Sequence, residues 1–141
     1  MTLVDTNVIV DARTKNSPFH DWAEDVLTTG ISGEGISVNA IVLAELCVGV
    51  TDPDSVEAEV RAKGLEVADV PAAASVICAR AYSRYRLARK KSGGGRAPHI
   101  PLPDFFIGAH AELMGWKLAT RDTERYRLYF ERVELIQPVS K

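Results

Sequence analysis

The sequence predicts an α/β fold in which a central, mostly parallel sheet is covered by helices on both faces. Two observations lead to this prediction. Short apolar segments typical of buried strands alternate with longer segments in which apolar residues recur at helical spacing. The chain has 141 residues, which is the usual size of one domain. We therefore expect a single three-layer α/β/α domain that spans residues 1–141.

The first half of the chain contains two predicted strands. A short apolar strand ends near Asp5 and turns into a helix. Ser17 and Pro18 form an N-cap and first-turn pair for the next helix, which continues to Gly30. A second strand at residues 35–39 leads into a helix from about Ala40, whose predicted apolar stripe consists of Ile41, Ala44, Cys47 and Val48.

The second half of the chain continues the alternation of helices and strands. Proline marks the start of several helices, and glycine and proline are concentrated in one loop. In chain order the predicted elements are a helix opened by Asp52 and Pro53, a strand at residues 65–70, a helix from Pro71 to about Lys91, a flexible loop at residues 92–103, a helix from Asp104 toward Gly115, and strands at residues 117–120 and 133–137.

The composition is that of an ordinary globular protein, with 46% hydrophobic residues, 26% charged residues and a net charge of -2. Glu45 interrupts the longest apolar stretch, so we expect no membrane span. The N-terminal residues lack the features of a signal peptide, which predicts a cytoplasmic location. Cys47 and Cys78 have no CxxC spacing, which indicates buried thiols.

Four carboxylates lie where predicted strands end or helices begin: Asp5, Glu45, Asp104 and Asp122. Functional groups of open parallel sheets gather outside the C-terminal ends of the strands, so the four can converge on one pocket. The sequence offers them no obvious cationic partner, and clustered carboxylates are costly unless a cation neutralises them. Hard oxygen ligands suit Mg²⁺ or Mn²⁺, which makes a metal-dependent hydrolase the first hypothesis. Taken singly, each acid can also be a helix cap or a solvated helix residue.

Five segments of the chain stand out in order: Leu3-Val-Asp-Thr-Asn-Val-Ile-Val-Asp11, Val42-Leu-Ala-Glu45, Leu102-Pro-Asp-Phe-Phe-Ile-Gly-Ala-His-Ala111, Leu118-Ala-Thr-Arg-Asp122 and, as the closing strand, Tyr129 to Pro138. Together they resemble the PIN-domain ribonucleases, and among them the VapC-type toxins of bacterial toxin–antitoxin pairs. The resemblance covers the chain from end to end and implies a PIN-like α/β/α fold.

The resemblance implies a metal-dependent endoribonuclease toxin that a cognate VapB-type antitoxin neutralises. It implies one or two Mg²⁺ or Mn²⁺ ions held by the four carboxylates, with Asn7 and Thr120 as polar support, and a homodimer. Antitoxins of this family lay a C-terminal segment along a groove near the active site, and the helices that begin near Phe19 and Val56 are its expected walls. The chain departs from many relatives at Arg125-Tyr126, where they carry Asp-Phe.

Basic residues between Arg80 and Pro103 support a nucleic-acid substrate, because a basic stripe can hold a phosphate backbone even on a mildly acidic protein. Tyr82 and Tyr85 lie among them and are either base-stacking residues or core. The arginines are alternatively a solvated face. The residues expected to contact RNA are Arg84, Arg86, Arg89, Lys90, Lys91 and Arg96.

Two other functions stay open at this stage. A haloacid-dehalogenase-like phosphotransferase also places an Asp after its first strand, but it wants a second Asp where this chain has Asn7. A PIN-like module can also be catalytically silent, binding RNA or a partner for regulation while its acids are structural. The triple glycine, Gly93 to Gly95, matches no phosphate-binding motif, and we interpret it as a hinge beside Asp104.

Overall fold

The computed structural model describes residues 1–93 and 99–139, and their centre is a five-stranded sheet. The strands are β1 (Thr2–Val4), β2 (Ile36–Asn39), β3 (Glu66–Ala68), β4 (Lys117–Ala119) and β5 (Leu135–Ile136). They lie in the order β3-β2-β1-β4-β5, and every neighbouring pair is parallel. The predicted α/β class is confirmed.

Helices connect each strand to the next strand along the chain. Parallel strands require such crossover connections, because a tight turn can join only antiparallel strands. A one-turn 3-10 helix, Pro53–Ser55, leads into the fourth of them. Within the described residues, no helix has both the length and the apolar character needed to cross a bilayer. The helices are α1 (Thr6–Arg13), α2 (His20–Ser32), α3 (Ala40–Cys47), α4 (Val56–Ala62), α5 (Ala74–Lys91), α6 (Leu102–Met114) and α7 (Thr123–Tyr129).

The burial of the central strands shows that helices cover both faces of the sheet. Leu3 and Val4 of β1 are both 0% exposed, and Leu118 and Ala119 of β4 are equally buried. Successive side chains of a strand point to opposite faces, so the burial of adjacent residues means that neither face meets solvent. The chain is therefore a three-layer α/β/α structure, as predicted.

Helix α6 lies deep in the molecule, and Phe105, Ile107 and Ala109 on it are at most 1% exposed. Gly108 allows the closest approach on this helix, because a Cβ atom at that position would lie 2.4 Å from the Phe130 ring. Such a distance is far below van der Waals contact. Glycine is thus required at residue 108 for packing rather than for backbone conformation.

His110 and Asn39 join α6 to the start of α3 inside the core. The Asn39 side chain accepts a hydrogen bond from the Val42 N–H at 3.0 Å, and its Nδ2 lies 3.2 Å from His110 Nδ1. With the Asn39 oxygen already used, the amide donates to Nδ1, so the imidazole is neutral with its proton on Nε2. Burial lowers the pKa of His110, which agrees with this neutral form.

Two local predictions were wrong. Helix α2 begins at His20, not at Ser17: the Ser17 hydroxyl accepts the Phe19 N–H at 3.1 Å and donates to Asp11 Oδ1 at 3.0 Å, so it caps the turn that precedes the helix. The predicted stripe of α3 was also on the wrong face. Val42 and Leu46 are buried, whereas Val48 is 79% exposed and lies beyond the last turn. Nearly every residue of this helix is apolar, so the sequence pattern does not distinguish the buried face from the exposed face.

We expect Gly108→Ala to lower the free energy of unfolding by about 1–3 kcal/mol, the usual cost of overpacking a core. Helix propensity alone predicts the opposite sign, a gain of about 1 kcal/mol. Thermal or urea unfolding of the purified variant measures which effect is larger.

Phe130→Leu provides the matched background for this test, because it removes the ring that the new methyl group meets. Gly108→Ala should cost less stability in Phe130→Leu than in the wild-type chain, and the double-mutant cycle gives the difference. Equal costs in both backgrounds would contradict the assigned contact.

Candidate active site

The four predicted carboxylates come together at the C-terminal edge of the sheet. Asp5 directly follows β1 and caps α1, and Asp122 lies between β4 and α7. Asp104 is in the first turn of α6, and Glu45 is in the second turn of α3. Together they line an open cleft of about 370 Å³, here called the acidic cleft, with Thr6, Asn7, Val10, Arg121 and Arg125.

Asp5 is the most constrained of these acids, with an exposed fraction of only 6%. Its Oδ1 accepts the Thr6 N–H at 2.8 Å, which caps α1. Its Oδ2 accepts three donors: the Thr120 hydroxyl at 2.8 Å, the Tyr126 hydroxyl at 3.2 Å and Asn7 Nδ2 at 3.3 Å. The carboxylate is therefore held in one orientation, with acceptor capacity left mainly on Oδ1.

Asn7 and Thr120 organise the loop after β4 in addition to contacting Asp5. The Asn7 amide also donates to Thr120 Oγ1 at 3.3 Å, and its oxygen accepts the Arg121 N–H at 3.3 Å. Thr120 Oγ1 accepts the Asp122 N–H at 3.0 Å. Asn7 lines the cleft, whereas Thr120 is fully buried behind it and reaches the site through these hydrogen bonds.

Glu45 and Asp104 are less constrained than Asp5. Glu45 Oε1 accepts the Thr6 hydroxyl at 3.0 Å, and Asp104 Oδ2 accepts Arg125 at 3.0 Å. No hydrogen bond among residues 1–93 and 99–139 reaches Glu45 Oε2 or Asp104 Oδ1. Each acid therefore offers one oxygen to a ligand in the cleft.

Arg125 corrects the expectation that the acids have no cationic partner. Its guanidinium bridges two of them, with Nη1 3.0 Å from Asp104 Oδ2 and Nη2 3.0 Å from Asp122 Oδ2. The contact with Asp122 spans one turn of α7, so a spacing of three residues in the sequence was a usable signal. The neighbouring Tyr126 was also missed, because only the fold shows that its hydroxyl reaches Asp5.

The electrostatics of the cleft disfavour further negative charge. Burial raises the pKa of Asp5, Glu45 and Asp104, and for Glu45 the nearby Asp104 and Asp5 add to the effect. Arg125 opposes this rise most clearly at Asp104. Burial also raises the pKa of the Tyr126 hydroxyl well above its usual range, with a further contribution from Asp5, so Tyr126 remains a hydrogen-bond donor.

The donor set fits a hard divalent cation in its chemistry. Carboxylate oxygens of Asp5, Glu45 and Asp104 face one cleft, and the raised pKa of each is the cost that a bound cation would remove. Among the residues that the structure describes, no three acidic, histidine or cysteine side chains lie close enough to ligate one ion as they stand. Side-chain rotation of Glu45 or Asp104 is therefore needed to complete a site.

A second ion pair, between the exposed Arg121 and the buried Asp11, borders the acidic cleft. Arg121 Nε lies 2.6 Å from Asp11 Oδ2, and the guanidinium carbon lies 5.1 Å from the centre of the Phe19 ring. Arg121 also lines a second, larger cleft of about 670 Å³ on its other side. This second cleft, here called the outer cleft, is lined by Pro18, Phe19, Asp21, Trp22, Arg121, Thr123, Gln137, Pro138 and Val139.

The basic residues of α5 do not share one environment. Arg84 donates to the Tyr129 carbonyl at 2.8 Å, at the C-terminal end of α7, whereas Arg86, Lys90 and Lys91 are exposed and Arg89 is half-buried. Arg96 and most of the triple glycine lie outside the described residues. Among the tyrosines, Tyr85 is buried and its hydroxyl accepts the Ile100 N–H at 2.8 Å.

Tyr82 and Tyr85 belong to an aromatic cluster in the core. Their ring centres lie 5.2 and 5.3 Å from that of Phe105, and Tyr82 is packed at the edge of the core. Packing of this kind occupies the ring faces that base stacking requires. The core interpretation of the two tyrosines is therefore the one that the structure supports.

Comparisons with known proteins agree with this architecture. No curated protein matches the chain. Similar solved structures include VapBC2 from Rickettsia felis bound to a promoter DNA fragment (22% identity, 98% of both chains, TM-score 0.67) and DNA-bound VapBC from Salmonella typhimurium (25% identity, 96% of both chains, TM-score 0.64). Another is VapC20 from Mycobacterium tuberculosis, a Sarcin-Ricin loop cleaving toxin (16% identity, 95% and 99% of the chains, TM-score 0.62).

The family assignment is carried by a sequence match over nearly the whole chain. The model of the PIN domain matches residues 2–131. This range includes all four carboxylates of the acidic cleft and the five-stranded sheet except for its last strand. The chain therefore belongs to the PIN domain family.

Proposed function

We propose that the protein is a metal-dependent endoribonuclease toxin that acts in the cytoplasm and is neutralised by an antitoxin. The observation that carries this proposal is the acidic cleft, where Asp5, Glu45, Asp104 and Asp122 meet at the functional edge of a PIN-domain sheet. The structurally similar chains support it, since one is a toxin that cleaves the Sarcin-Ricin loop and others are VapBC complexes.

In this proposal, Asp5, Glu45 and Asp104 hold Mg²⁺ or Mn²⁺. The bound ion would act as a Lewis acid for a phosphate oxygen and lower the pKa of water near neutrality. Asp5 contributes orientation, because its four hydrogen bonds fix the carboxylate before any ligand arrives.

The alternative of a catalytically silent PIN module has one observation in its favour. Arg125 already partly neutralises the acidic cleft from within the same chain. A cleft stabilised in this way has less need of a metal ion than a cluster of unpaired carboxylates. Cleavage of RNA by the purified protein, or its absence, separates the two functions.

The antitoxin is proposed to bind a groove between helices α1, α2 and α4, here called the helix groove. Its lining includes the apolar side chains of Ile9, Leu27, Ile31, Val60 and Leu65. Ile31 is 44% exposed there, so its side chain is accessible to a partner. A groove of this composition fits the apolar face of a helix or an extended segment. Helices α2 and α4 are the walls that the family resemblance implies, and both line this groove.

The homodimer implied by the family resemblance stays a proposal. Exposed apolar side chains on one side of the molecule offer a surface for it: Val76 and Leu87 on α5, and Leu128 on α7, are 55%, 56% and 64% exposed. Apolar patches of this kind are typical of protein contacts.

Glu45→Gln is expected to reduce metal-dependent RNA cleavage by roughly 100-fold or more, because a metal ion stabilises the transition state by several kcal/mol. The amide can still accept the Thr6 hydroxyl, and burial already disfavours the charged form, so stability should be unchanged or slightly higher. Cleavage of RNA with Mg²⁺ or Mn²⁺, with and without chelator, measures activity, and thermal unfolding measures stability.

Glu131→Gln is the matched control, because Glu131 is exposed and forms no ion pair within the described residues. Asp5→Asn and Asp104→Asn should be inactive as well, although each also loses hydrogen bonds that stabilise the fold. Full activity of Glu45→Gln and Asp104→Asn would refute the site assignment. A wild-type chain that cleaves no RNA with either metal would favour the silent module.

The double variant Arg86→Gln and Lys90→Gln is expected to raise KM for RNA several-fold and leave kcat unchanged. Both side chains are exposed on α5 and can contact phosphates without touching the reacting bond. Two lost phosphate contacts should reduce the slope of log affinity against log salt by about 1.4 for single-stranded RNA.

Lys15→Gln with Lys63→Gln makes the same charge change at exposed residues outside α5 and serves as the control. An identical loss of affinity in both double variants would show that net charge alone is responsible. The α5 surface would then have no specific role in RNA binding.

Ile31→Lys is expected to weaken antitoxin binding by at least about tenfold, since it places a charge in the apolar helix groove. Coexpression of the chain with a candidate antitoxin from the same genome, followed by copurification and growth measurements, provides the test. Val48→Lys introduces the same charge at an apolar residue that is 79% exposed and does not line the helix groove. If Val48→Lys releases the partner and Ile31→Lys retains it, the groove assignment is wrong.

A further inference from the structure

Arg125 is built into the acidic cleft rather than lying over it. Its side chain is 21% exposed and that of Asp104 is 17% exposed, so the contact between them is largely shielded from water. Asp104 comes from α6, and Arg125 comes from α7, 21 residues later in the chain. A surface pair within one helix would have neither this burial nor this long-range partner.

The guanidinium occupies one carboxylate oxygen of Asp104 and one of Asp122, so neither oxygen is free to bind a metal ion. Nη1 and Nη2 each contact one oxygen, Asp104 Oδ2 and Asp122 Oδ2, both at 3.0 Å. The planar donor fork thus bridges two acids that belong to different helices. A divalent ion between the same two oxygens would have to displace it.

The charge count of the cleft leads to the same conclusion. Four carboxylates carry four negative charges, and Arg125 supplies one positive charge among them. One divalent ion then leaves a net charge of about −1, whereas two would leave about +1 with three cations in mutual repulsion. An arginine guanidinium is effectively always charged in a protein, so this positive charge is present at neutral pH.

We propose that Arg125 is an internal cation that takes the place of a second metal ion, so that the chain binds one divalent ion. In this arrangement, Asp5, Glu45 and Asp104 are the ligands, and Asp122 is the counter-ion of Arg125. The inference rests on the proposed metal-dependent function. It deepens that function by assigning different roles to acids that the sequence treated alike.

The test is Mn²⁺ binding to the purified chain without RNA, measured by titration calorimetry and equilibrium dialysis. The wild-type chain should bind one ion. Arg125→Gln should bind Mn²⁺ at least about tenfold more tightly, the effect of a unit and a double charge about 6 Å apart even at the dielectric constant of water. Arg127→Gln is the matched control, because Arg127 is exposed on the same helix and contacts only Gln137 among the described residues.

If Arg125→Gln fails to fold, which circular dichroism would show, Arg125→Lys is a second variant that keeps the positive charge. It should bind one ion with an affinity within about threefold of the wild type, since charge rather than fork geometry excludes the second ion. Two ions in the wild-type chain, no ion in any variant, or equal affinities of Arg125→Gln and Arg127→Gln would each overturn the inference.

RNA cleavage measured on the same preparations separates this inference from the proposed function. If the chain binds two ions and cleaves RNA, the ribonuclease function is supported and the proposed role of Arg125 is contradicted. If it binds one ion and cleaves no RNA, the role of Arg125 is supported and the ribonuclease function is contradicted.

Discussion

The buried carboxylate of Asp5 is the constraint on which the site and much of the surrounding fold depend. A carboxylate taken out of water without partners costs several kcal/mol, so its position requires donors from elsewhere in the chain. Those donors come from the start of α1, the end of β4 and the middle of α7, through Thr6, Thr120 and Tyr126. One charged group therefore ties together segments that are more than 100 residues apart in sequence.

Helix α7 completes this arrangement with two adjacent residues, Arg125 and Tyr126, whose side chains point in different directions. Tyr126 turns inward and is fully buried, donating to an acid that carries a charge. Arg125 turns toward the cleft and neutralises acids that would otherwise repel each other. Because successive helical residues point about 100° apart, a single short helix can serve both the core and the cleft. One wall of the acidic cleft is therefore formed by a helix that also packs into the hydrophobic core.

The sequence was sufficient for the fold class and for the convergence of the four acids, because both follow from rules that act over short distances. Asp5 follows an apolar strand, and Asp104 follows a proline at a helix start, and parallel sheets bring such positions to one edge. Arg125 and Tyr126 were not predicted as cleft residues, because their roles depend on which long-range partners the fold supplies. The buried face of α3 was predicted incorrectly for a different reason. Residues 40–48 are almost all apolar, so the elements that pack against the helix determine which face is buried.

Arg121 gives the two clefts a common wall. Its guanidinium is fixed on one side by Asp11 and on the other by the Phe19 ring, while its backbone N–H is bonded to Asn7 in the acidic cleft. Arg121 lines both the acidic cleft and the outer cleft, and the loop residue next to it, Asp122, also faces the acidic cleft. A ligand in either cleft would therefore meet the same arginine side chain.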